Sequence, residues 1–354
     1  MAVETLRENT FSHSGDKHTF YWSTGPTEGP LVIFVHGWPA NGEHWKHQLL
    51  AFGSLGFHAV APDTRGYGRS SVPRGDDSEY RQEKHVSDML ALLAHLQRDK
   101  AVWVGHDWGA GLVWSFAAKH PDKCVGVSCA SVPYRVLESG GGIDYLVSLS
   151  NRDIYPEDEY PLAQWDYQAF HIEQSEKSHK QLEANVANTI KVLYRGSNGE
   201  HFGKPGFMAS VRKNDGWFGP LPEAPDTPFE TCLLAHDKPA FDRLVAEFER
   251  NGFEGPNAYY HNHKINHEWL KDVPNGGRLE YPVLFVETKY DYVCDTALSR
   301  LSEPMRELCK DLTEVSLECG HWATLEKPRE LTASLLKWIA TKLPDYFPGG
   351  KRIN

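Results

Sequence analysis

The sequence predicts an α/β protein: a mostly parallel, doubly wound sheet interrupted by a helical insert. Three observations carry that reading. Short apolar runs alternate with amphipathic stretches over residues 1–137, the rhythm of strand and helix in a parallel sheet. The alternation lapses from 138 to 275, where helical patterns and long Pro/Gly loops take over. It then returns from 276 to the end of the 354-residue chain. The expected organisation is a core domain of residues 1–137 and 276–354, with 138–275 inserted as a mainly helical cap.

Each element has its own signal. "KHTFYWS" (17–23) reads as a strand, preceded by the turn "HSGDK". "PLVIFV" (30–35) is apolar throughout, as suits a strand buried on both faces. "GFHAVAPD" is a further strand. "RQEKHVSDMLALLAHLQ" (81–97) is a helix, with Val86, Met89, Leu90, Leu93 and Leu96 on one face. "AVWVGHDWGAGLVWSFAA" (101–118) reads as strand, sharp turn and helix, and "CVGVSCASVP" (124–133) as a strand. In the insert, "HIEQSEKSHKQLEANVANTIKVLY" (171–194) and "KPAFDRLVAEFERNG" (238–252) are helical. The loop at 203–228 is long enough to suggest a binding role. "PVLFVE" and "TEVSLE" are the last strands, with "TALSRLSEPMRELC" and "ELTASLLKWIATKL" as helices.

Composition narrows the function classes. Forty per cent hydrophobic and 12% aromatic residues are enough for a large core. A net charge of -11 argues against nucleic-acid binding, which needs clustered Lys and Arg. The six cysteines (Cys124, Cys129, Cys232, Cys294, Cys309 and Cys319) form no C-x-x-C pair and read as free buried thiols. "MAVETLRENTF" lacks the apolar stretch of a secretory signal, and "KRIN" is neither a peroxisomal nor a retention tail. No run approaches the roughly 18 apolar residues of a transmembrane helix. The expectation is a cytoplasmic protein, monomer or homodimer.

The chemistry centres on "VGHDWGA". A residue at a tight strand-to-helix turn projects at the carboxyl edge of the sheet, where ligands bind. Small neighbours are needed there, and Gly105, Gly109 and Ala110 supply them. The helix N-terminus helps keep a carboxylate ionised. Alone, Asp107 reads equally as an N-cap. Its company decides: Asp291 in "VETKYDYV" and His321 in "LECGHW" also follow predicted strands. Nucleophile, acid, histidine is the chain order of the α/β-hydrolase fold. "HGWP" turns sharply after a buried strand, so the backbone amides of Trp38 and Trp108 form a predicted oxyanion hole, with both indoles as aromatic wall.

With "HGWP" (36–39), "PDTRGYGRS" (62–70), "GHDWGA" (105–110), "KYDYV" and "CGHW", the chain resembles the α/β-hydrolase epoxide hydrolases over nearly its whole length. The resemblance implies two cap tyrosines facing the nucleophile: Tyr167 in "WDYQAF", and one of Tyr259 and Tyr260 in "GPNAYYHN", with Tyr260 the better match. It further implies substrate contacts at His36, Pro39, Val293 and Trp322. An ionised carboxylate can displace a leaving group at saturated carbon, forming an ester. An epoxide oxygen leaves only if it receives a proton, which phenols can supply. The implied reaction uses an epoxide and water, and no metal or other cofactor.

Rival readings share the scaffold. A haloalkane dehalogenase would use the same Asp107 with N–H donors on the halide; a fluoroacetate dehalogenase would carry Arg in place of Trp108. An esterase or lactonase would need Ser at 107. A non-catalytic receptor would have no call for His321 and Asp291 together. "HNHKINH" (His261, His263, His267) lacks a further zinc ligand and reads as a solvated cap helix. Asp63 and Arg65 read as holding the loop beside the site.

Overall fold

A computed structural model describes residues 5–137 and 142–349. Its strands are β1 (Arg7–His13), β2 (Lys17–Thr24), β3 (Leu31–Val35), β4 (His58–Pro62), β5 (Ala101–His106), β6 (Cys124–Ala130), β7 (Trp217–Pro220), β8 (Leu279–Thr288) and β9 (Cys309–Leu317). All but β7 join one eight-stranded sheet in the order β1-β2-β4-β3-β5-β6-β8-β9. The β1–β2 and β2–β4 pairs are antiparallel and the other five are parallel. β3, β4 and β5 are buried along their whole length, as strands covered on both faces must be.

Alternation along β3 splits its side chains between two cores. Leu31, Ile33 and Val35 face the layer that holds helices Gln82–His95 and Trp108–Lys119. Val32 and Phe34 face Leu49 and Phe52 of helix Lys46–Ser54 and Leu335 of helix Pro328–Lys342. Each such side chain contributes about 1.5–3 kcal/mol of burial free energy. With the interior satisfied on both sides, the carboxyl ends of the central strands are left to carry function.

Between β6 and β8 the chain leaves the sheet. The segment expected as one helix at 171–194 is three: Asp166–Glu173, Ser175–Glu183 and Val186–Leu193. One break is at Gln174, outside helical geometry at φ -129°, ψ 42°. The other is at Asn185, whose side chain accepts from the Asn188 amide at 3.1 Å and so starts a new helix. The helix expected at 296–309 is only Glu303–Leu308; Pro304 fits a first turn but not an interior. β1 carries no apolar face, its pattern being mostly exposed, and the sequence reading passed over it. The expected start of the insert, residue 138, and the tail "KRIN" lie outside the described residues.

All six cysteines are buried, and among the described residues none forms a disulfide. Among the described residues, no helix is long and apolar enough to cross a membrane.

Candidate active site

β5 ends at His106, and Asp107 takes φ 54°, ψ -127° before helix Trp108–Lys119 begins. For a residue with a Cβ this is strained, worth roughly 1–3 kcal/mol, and it lifts the side chain clear of both elements. The carboxylate makes no N-cap hydrogen bond to the helix. Its Oδ1 accepts from the Trp38 amide at 2.6 Å, and the Trp108 amide also donates to it. Two glycines allow this approach. A Cβ on Gly37 would lie 2.3 Å from Asp107 Oδ1, and one on Gly109 would lie 2.3 Å from the Val35 carbonyl.

The other two strand ends converge on the same point. Asp291 follows β8 and His321 follows β9. His321 Nδ1 donates to Asp291 Oδ2 at 2.9 Å, and Nε2 lies 3.6 Å from Asp107 Oδ2. Asp291 also accepts from the Val293 amide at 2.8 Å, Thr288 Oγ1 at 3.0 Å and the Ser131 hydroxyl. His106 Nε2 donates to the His321 carbonyl at 2.7 Å, fixing that loop to the residue before Asp107.

The charges respond to this packing. Burial raises the Asp107 carboxyl, partly countered by His321 and the two amides. Burial opposes the His321 imidazolium, but the Asp291 carboxylate and its hydrogen bond outweigh it. With a further push from Asp107, they raise the ring to about 9. Burial also opposes Asp291, yet His321, Ser131 and the Val293 amide hold it at about 2.

Over Asp107 lies a cavity whose walls include Trp38, Met208, Val293 and Trp322. Tyr167 and Tyr260 both line it, with ring centroids 5.7 Å apart. The Trp108 ring meets the Tyr260 ring edge-on, centroids 5.1 Å apart. The Tyr167 oxygen accepts from Gln168 Nε2 at 3.2 Å and keeps its own hydrogen to donate. Burial, then Asp107 or the partner phenol, raises both hydroxyls above their ordinary range. Tyr259 points elsewhere, its hydroxyl bonded to the Arg65 carbonyl at 3.0 Å and to Thr64 Oγ1 at 3.1 Å.

Of the four expected substrate contacts, Val293 and Trp322 line the cavity. His36 and Pro39 do not. The His36 ring is only 1% exposed. It is spent on backbone, with Nδ1 donating to the Gly37 carbonyl and Nε2 accepting from the Thr64 amide, each at 3.0 Å. The Pro39 carbonyl accepts from the Tyr194 hydroxyl at 2.8 Å. Both brace the turn from behind.

A sequence profile of the alpha/beta hydrolase fold matches residues 30–148. Epoxide hydrolase B of Mycobacterium tuberculosis (strain H37Rv) is 30% identical over 347 residues, covering 90% of this chain and 93% of that protein. The chain belongs to the α/β-hydrolase epoxide hydrolases. Bifunctional epoxide hydrolase 2 of Sus scrofa is 29% identical over 316 residues; the match takes in 88% of this chain and 52% of that protein, so the chain spans about half its length. Among solved structures, epoxide hydrolase A from Mycobacterium thermoresistibile has a TM-score of 0.73 and 27% identity, covering 95% of this chain and 99% of that one.

Several residues escaped the sequence reading of this epoxide hydrolase site. Ser131, at φ 72°, follows β6, and its hydroxyl touches Asp291 and His321 Nδ1, the latter at 3.2 Å. The strand-end rule that found Asp107 would have found it had β6 been ended at Ala130. Gln168 had no signal beyond adjacency to Tyr167. Trp217 lies in the long loop and stacks on Trp38 at 5.4 Å, while Phe207 and Met208 of that loop line the cavity.

The histidine cluster disperses. His261 bonds Asp77 at 2.6 Å and the His171 carbonyl at 2.9 Å. His263 is buried with its ring 5.9 Å from Trp108, so the expected solvated helix is solvated only in part. Asp63 accepts from the Gly42 and Arg69 amides at 2.8 and 2.9 Å, and Arg65 pairs with Asp88 at 2.7 Å.

Proposed function

We propose that this protein hydrolyses epoxides to vicinal diols through a covalent ester on Asp107, with residues 138–275 acting as the cap over the core. One observation supports this above others: two phenols share a cavity with a carboxylate held by two amides. Asp107 Oδ2 attacks an epoxide carbon as the ring C–O bond breaks. Tyr167 and Tyr260 bind the emerging alkoxide and one gives it a proton. Oδ1 stays among the amides as the ester carbonyl.

Alkylation removes the Asp107 charge, one of the influences that raise His321, so the ring becomes a better base for the next step. Neutral His321 takes a proton from water, and the hydroxide adds to the Asp107 carbonyl carbon. The Trp38 and Trp108 amides hold the oxyanion. Asp291 orients the ring and stabilises its cation. Collapse releases the diol, and the proton on His321 restores the phenol. Epoxide plus water balances to diol, with no other reactant.

Dehalogenation fits less well. One of the two indole N–H groups that would hold halide is engaged, Trp38 Nε1 on Asn257 Oδ1 at 3.0 Å.

The test uses His321→Gln with a styrene-type epoxide, followed by intact-protein mass spectrometry. An adduct of the epoxide's mass should accumulate on a peptide containing Asp107. Absence of adduct together with normal turnover removes the assignment of base and nucleophile alike.

A further inference from the structure

We propose that Arg195 is an anion anchor at the rim of this cavity, selecting epoxides that carry a carboxylate a hydrocarbon spacer away from the ring. The inference rests on the reading above and extends it to substrate class. The cavity is graded from floor to mouth. Asp107 and Tyr260, 5% and 1% exposed, form the floor. Leu193, Met208, Val293 and Trp322 are among its walls. Arg195 and Phe207 are the exposed lining residues, which puts them at the rim.

Arg195 has no role within the chain that explains it. Among the described residues its guanidinium makes no ion pair or hydrogen bond. Glu326, packed against the same segment, is spent on the Ser197, Gly320 and Trp322 amides at 2.9–3.0 Å. The backbone around Arg195 is nevertheless fixed. The Leu193 carbonyl accepts from Trp322 Nε1, and the Tyr194 carbonyl from the Leu233 amide, each at 2.9 Å. A charged fork is thus held on a fixed backbone beside apolar walls, with its donors free.

A wholly apolar epoxide gains nothing from such a group, whereas a carboxylate matches its geometry. The Asp107 carboxylate at the floor repels a second anion nearby, so the substrate's charge belongs at the mouth. The spacer then lies along the apolar walls, and the epoxide reaches the floor.

The experiment measures kcat/KM for terminal-epoxy carboxylates of increasing chain length, each beside its methyl ester, with wild type, Arg195→Gln and Arg195→Glu. The wild type should prefer acid over ester once the chain is long enough to reach the rim. Arg195→Gln should cut the acid-to-ester ratio about five-fold, mainly through KM, and Arg195→Glu should cut it further. The wild-type preference should also fade in high salt. Esters and acids hydrolysed at a ratio that neither variant alters would overturn the anchor alone. Failure of the wild type to open any of these epoxides would overturn the underlying epoxide reading, and the anchor with it.

Discussion

Tyr259 and Tyr260 are neighbours in sequence with separate tasks, and substitution should part them. Tyr260→Phe and Tyr167→Phe each remove a proton donor from the cavity, so single-turnover ring opening should slow about a hundredfold. Tyr259→Phe removes a hydroxyl bonded to Thr64 and Arg65; it should cost about 1 kcal/mol in urea unfolding and leave ring opening largely intact. Equal slowing in both variants would refute the choice of Tyr260. At this scale the sequence was legible in place, since Asp107, Asp291 and His321 stand past the strand ends where it put them. It was less so for His36 and Pro39, because adjacency in a motif says nothing about which way a side chain points.

The strand–turn–helix around Asp107 works only because a second turn comes within bonding distance of it. Gly37→Ala would place a methyl 2.3 Å from Asp107 Oδ1 and 2.7 Å from the His106 carbonyl. Neither neighbour is the loose end of a flexible chain, so the turn must shift. A displaced Trp38 amide should lower kcat/KM at least about a hundredfold while the circular dichroism spectrum stays native; wild-type kinetics in this variant would show that the approach is not needed. β3, β4 and β5 were readable as elements because full burial forces an unbroken apolar run. β1 left no such mark, since an edge strand with one neighbour buries little. Pro304 sits in the first turn of its helix, so the helix starts later than the apolar spacing alone implies.

Across the molecule, the balance of charge around His321 makes stability depend on pH. The folded ring is raised to about 9 from an ordinary 6.5, so the native state binds this proton more tightly than the unfolded chain does. Its contribution is complete below about 6.5 and is lost as pH rises through about 9. Asp291 works in the opposite sense: held at about 2, it contributes above its ordinary 3.8 and loses that as pH falls through about 2. Urea unfolding of wild type should therefore weaken from pH 6.5 to 9 more steeply than that of His321→Gln; parallel slopes would contradict the assignment. The helical interruption of the sheet was evident from the lapse in alternation, but its attachments were not, because single hydrogen bonds between distant segments leave no periodic trace. Two of them matter most: the Tyr194 hydroxyl on the Pro39 carbonyl, and Asn257 on the Trp38 indole. The peptide whose amide bonds Asp107 is thereby moored to the roof above it. Were the roof to swing away as a body, it would drag that peptide off Asp107 and disarm the enzyme.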